Sequence, residues 1–122
     1  MTGETLGRRS LALDAVYCAV AGLIAIVAFD PLAELLGAPE ALFVAVGAAT
    51  MVWSLVVHRL ARVADWRRPV VAVAAANVVA ALGVAALALF TPRLAGQLLL
   101  AAVAIEVAAF AASQLVALRR AA

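Results

Sequence analysis

Hydrophobic positions in this chain are continuous rather than periodic. Four apolar runs of about 20 residues follow one another, at 10–29, 41–60, 69–90 and 94–118, and the stretches between and beyond them hold most of the charge. At 1.5 Å per residue, each run predicts a helix long enough to cross about 30 Å of hydrocarbon. A soluble Ala-rich bundle would need a polar stripe along every helix, and "VVAVAAANVVAALGVAALALF" offers none. Too little chain remains for a second domain, so residues 1–122 read as one all-α transmembrane domain.

Composition supports the same solvent. Of 122 residues, 69% are hydrophobic and 13% charged, against about half and about a quarter in a soluble domain. The first run follows Arg8 and Arg9 but ends in Phe29-Asp30-Pro31 without a small-x-small cleavage site, so it reads as a retained span rather than a signal peptide.

If four helices alternate, Arg8, Arg9, Arg59, Arg62, Arg67, Arg68, Arg119 and Arg120 fall on one side and only Arg93 on the other. Eight against one is a positive-inside signal that predicts both termini and the middle loop in the cytoplasm of a bacterium, with the chain in its inner membrane. The net charge of +2 reflects this topology and implies no nucleic-acid partner. The lipid bilayer is the implied partner, with the arginines placed to touch anionic headgroups.

The connections are short, which predicts an up-down-up-down antiparallel bundle. "DPLAELLGAPE" predicts a short turn of helix lying in the interface, with Asp30 as its cap and Gly37 and Pro39 closing it. In "ARVADWRRP", Trp66 reads as an interfacial anchor and Pro69 as a helix start. Overlaying the halves aligns Gly22 and "FDP" with Gly83 and "FTP", a weak repeat that suggests two duplicated hairpins.

Polar residues inside the runs carry whatever chemistry there is. Asp14, Tyr17 and Cys18 share a face of the first helix, and Gly47, Thr50, Ser54 and His58 share one of the second. Asn77 comes from the third, and Glu106, Ser113 and Gln114 from the fourth. Counted from the cytoplasmic ends, His58, Asp14, Gln114, Ser113, Ser54 and Asn77 lie roughly 3 to 12 Å deep and Glu106 near 18 Å. A pocket opening to the cytoplasm and floored by Glu106 would satisfy them all.

Plainer roles exist for most of these groups. Ser54, Thr50 and Ser113 can bond their own helix carbonyls. Asn77 can tie helices together, Asp14 can pair with Arg59 or Arg9, and His58 sits at the interface. Cys18 is the single cysteine, so it forms no intramolecular disulfide. Glu106 resists a plain role best, because a charge at mid-membrane costs about 2.5 kcal/mol or more. It is expected to face inward, hydrogen-bonded to Asn77 or Tyr17 or exchanging protons with a ligand or a conformational change.

The sequence holds no metal cluster, no Gly-rich phosphate loop and no Ser-His-Asp set, so neither an enzyme nor a cofactor is expected. "LALDAV" around Asp14, Asn77 in the third helix and "SQLVALRR" around Gln114 resemble uncharacterised four-helix integral membrane proteins of high-GC bacteria, a resemblance that implies a topology without an activity. Length, four helices and a first-helix acid are also similar to small multidrug-resistance exporters, which work as dimers through a membrane glutamate. Here that acid is Asp14, and "VAVAAANVVAALGV" lacks their aromatic pattern.

Rows of small residues, Ala72, Ala76 and Ala80 in the third helix and Ala101, Ala104, Ala108 and Ala112 in the fourth, suit close helix packing within a homodimer or a larger membrane complex. The leading expectation is a non-catalytic bundle that binds a ligand or a partner helix through the cytoplasm-facing polar pocket. Two others stand beside it: a dimeric proton-coupled exporter of small amphipathic cations, and an accessory subunit of a larger complex. No ligand is named by the residues.

Overall fold

A computed structural model describes residues 1–121. They form five helices: α1 (Gly3–Val27), α2 (Phe29–Leu36), α3 (Glu40–Leu60), α4 (Arg67–Phe90) and α5 (Leu94–Arg120). All but α2 are long and apolar enough to cross a membrane. They are the four expected spans, but α1 starts seven residues before its apolar run. Thr2 explains the early start, since its side chain accepts from the Thr5 amide at 3.1 Å and Glu4 places a carboxylate in the positive first turn.

The short helix predicted after the first span is α2, and its start differs from expectation. Ala28, not Asp30, is the capping residue, and Asp30 lies inside the first turn. Pro31 supplies the reason: with no N–H, it cannot continue the ladder of α1, so the helix breaks at Ala28 and restarts where Pro31 falls in a first turn. Gly37 ends α2 at φ 67°, the left-handed conformation that suits glycine.

The four long helices alternate in direction. Both termini share one end, where Gly3 packs on the Ala117 carbonyl and Arg120 Nη1 donates to the Met1 carbonyl at 3.4 Å. α1 is central, running along α3 on one side and α5 on the other, while α4 packs along α5. Two hairpins, α1/α3 and α4/α5, thus meet through α1 and α5. α3 meets α4 mainly through side chains, in a core of Leu11, Ala15, Val57, Val70 and Val73 flanked by Trp53 and Trp66.

That core lies at the end bearing the termini. Beyond Asn77, α4 has no buried residue. At the far end α2 bridges the hairpins, with Ala33 buried and Gly96 of α5 close to the Leu35 carbonyl. The glycines aligned by the repeat behave differently. A Cβ on Gly22 would meet the Gly47 carbonyl at 2.8 Å, whereas one on Gly83 would meet nothing within 4 Å. "FDP" starts a helix and "FTP" ends one, so the repeat is not mirrored in packing.

Trp66 is half-buried, its ring against Gly7, and so serves the core as well as the interface. Arg8 fastens the loop that carries it. Its Nη1 donates to the carbonyls of Ala61 and Val63, each at 2.9 Å, its Nη2 to Ala64 at 3.3 Å, and its Nε to Glu4 at 3.0 Å. A planar guanidinium suits several acceptors at once, including the carbonyls at the end of α3.

Candidate functional site

Three of the polar residues singled out in the sequence meet inside the bundle. Asp14 comes from α1, Asn77 from α4 and Gln114 from α5, and their exposures are 2%, 5% and 0%. Asn77 Nδ2 donates to Asp14 Oδ2 at 2.6 Å and to Gln114 Oε1 at 3.2 Å; Gln114 Nε2 donates to the same Asp14 oxygen at 3.1 Å. The three bonds close a ring. Cys18, one turn along α1, directs its thiol at Asp14 Oδ1 at 3.5 Å.

Position along each helix brings them together. They are backed by the same core layer: Leu11 and Ala15 flank Asp14, Val73 and Ala74 precede Asn77, and Ala111 and Ala117 bracket Gln114. Small neighbours let the helices approach closely enough for short polar side chains to reach across. Two carboxamides thus supply the donors, and Asp14 forms no ion pair with Arg9 or Arg59, the partners that the sequence also allowed. No buried side-chain nitrogen or oxygen among the described residues lacks a partner.

Chemically, this arrangement is a clamp. Each member satisfies another, and the ring lines neither the α4/α5 cleft at Leu82 and Ala112 nor the α1/α5 cleft at Arg9 and Ser113. The expected pocket is therefore filled by its own side chains.

The remaining candidates lie elsewhere. Ser54 is buried on α3 but outside the ring, and His58 is exposed near the end of that helix. Thr50 bonds its own helix at the Val46 carbonyl, 2.8 Å away. Ser113 bonds the Phe110 carbonyl at 2.8 Å and also meets Ser10 across the α1/α5 contact at 2.6 Å. Ser10 was not singled out in the sequence, because a serine next to Arg9 at the edge of the apolar run gave no signal for it.

Glu106 departs most from expectation. It is exposed on the outer surface of α5, not turned inward. Eight residues separate it from Gln114, about 80° of helix rotation, which carries it from the core face to the α1 flank. There Tyr17 is its neighbour, hydroxyl beside carboxylate, and Tyr17 stacks at a tilt against Phe110 with ring centroids 5.5 Å apart. Around Glu106 on the same outer stripe lie Ala102, Ile105 and Ala109, all exposed.

No group of acids, histidines and cysteines among the described residues could hold a metal ion. What the fold and polar groups define is a helical bundle of membrane-spanning type with an internal clamp and one acid on its apolar exterior. No protein family, curated protein or solved structure matches the chain.

Proposed function

We propose that this chain is a non-catalytic subunit of the bacterial inner membrane, both termini cytoplasmic, that binds a partner helix inside the bilayer through the outer stripe of α5. The observation that carries this reading is Glu106, exposed halfway along an apolar helix. A charged acid at the centre of a spanning helix costs about 2.5 to 3.5 kcal/mol. An interhelical hydrogen bond in a membrane returns about 0.6 kcal/mol on average, so Tyr17 alone does not account for an acid there. A partner that brings a donor or a cation to Glu106 does, and Ala102 and Ala109 leave room for a helix backbone beside it.

This keeps the helix-binding part of the sequence expectation and moves it from an internal pocket to the exterior. Its test is a photo-crosslinking residue placed at Ile105 or, as a control on a helix that does not pack along α5, at the exposed Leu55 of α3. A discrete protein adduct is expected from position 105 alone and is lost in Glu106→Leu. Its mass distinguishes a second copy from an unrelated subunit. Lipid adducts alone from both positions, at normal protein levels, would refute the reading.

A second reading, the proton-coupled exporter of amphipathic cations, draws on the same carboxylate because a cation dissolved in the bilayer could reach it directly. Binding of tetraphenylphosphonium that weakens as pH falls and vanishes in Glu106→Gln would favour it.

A further inference from the structure

We propose that a cleft between the start of α1 and the end of α5 seats the headgroup and the upper part of one acyl chain of an anionic phospholipid. The cleft has a volume of about 290 Å³ and is lined by Leu6, Arg9, Ser10 and Leu13 from one helix and by Phe110 and Ser113 from the other. Its chemistry changes with depth. Arg9 stands at the mouth, on the second turn of α1 at the end that bears the termini. Next come the hydroxyls of Ser10 and Ser113, 2.6 Å apart and satisfied by each other and by the Phe110 carbonyl, and then the apolar walls of Leu13 and Phe110. An anionic headgroup followed by an acyl chain occurs in the same order in a phospholipid.

Charge decides which lipid. Among the described residues no carboxylate lines the cleft and Arg9 forms no ion pair, which only Arg8 and Arg68 do. Arg120, bonded to the Met1 carbonyl, adds a second guanidinium beside the mouth, because Met1 also lines the cleft. The cleft is too small for a helix, which is about 10 to 12 Å across with its side chains. It also lies nearer the termini than the Glu106 stripe, so it stands independently of the partner reading. A single arginine near an anionic surface is worth about a fivefold preference.

The test uses the full chain in mild detergent with equal amounts of palmitoyl-oleoyl phosphatidylglycerol and phosphatidylcholine, and native mass spectrometry to count retained lipid. One phosphatidylglycerol is expected to be held in preference, with Arg9→Gln lowering that preference about fivefold and Leu13→Trp, which fills the cleft from its exposed edge, abolishing it. The pair Arg62→Gln and Arg67→Gln, arginines outside the cleft, leaves it unchanged. Equal retention of both lipids by the wild type would overturn the proposal. So would a loss in the Arg62/Arg67 variant as large as in Arg9→Gln, which marks diffuse attraction, or displacement by millimolar glycerol phosphate, which marks a site for free phosphate.

Discussion

Asn77 Nδ2 lies 2.6 Å from Asp14 Oδ2, joining the third and first spanning helices across 63 residues of sequence. With Gln114 as the other donor, the carboxylate is held by amides where a cation would ordinarily be found. Removing Asn77 takes one donor from a buried acid and one from the Gln114 carbonyl. Such a loss costs about 1 to 3 kcal/mol where groups are left unsatisfied, more than the membrane average of about 0.6 for a single bond. Asn77→Leu is therefore expected to lower the melting temperature in detergent clearly. Asp14→Asn, which keeps the shape and an accepting oxygen, should lower it less.

Gly22 and Gly47 give a second comparison, this time of sterics. A side chain at Gly22 would press on the Gly47 carbonyl and Met51, but Gly83 faces open space. Gly22→Val is expected to cost about 1 to 3 kcal/mol by overpacking. Gly83→Ala should be neutral or stabilising by up to about 1 kcal/mol, through helix propensity alone. Thermal melts of the two variants side by side check both.

Arg8 reaches three loop carbonyls with one planar group. Lysine keeps the charge but not the fork. Arg8→Lys should therefore loosen residues 61–64, read as faster amide hydrogen exchange in that loop, with α4 and α5 unaffected. Exchange unchanged from wild type would show that the loop is held by Trp66 packing instead.

Glu106 should behave in the opposite way to Asp14. Being exposed, it leaves no buried donor behind when replaced, so Glu106→Leu in the isolated chain is expected to match or exceed wild-type thermal stability. A fall comparable to that of Asn77→Leu would mean that the acid faces the core in solution.

These contrasts show what the sequence made legible. Four spans, their alternation and the short α2 follow from run length and from Pro31 and Gly37. Depth was legible too: counting 1.5 Å per residue put Asp14, Asn77 and Gln114 at one level, and they meet there. Azimuth was not. In helices built from Ala, Val and Leu on every side, no polar face announces which way is out, so Glu106 could be placed by height but not by direction. Asp14 had two readings in the sequence, an arginine partner or convergence with the amides at its level, and the amides are its donors.

The clamp also bears on how the protein is made. Asp14 leaves the ribosome long before its donors do: Asn77 follows 63 residues later and Gln114 100 residues later. At about 5 to 20 residues per second, the α1/α3 hairpin spends several seconds in the membrane with an unsatisfied acid. Its docking with α4/α5 relieves that acid, and a chain truncated at Trp66 is expected to be removed by membrane proteases faster than the full chain.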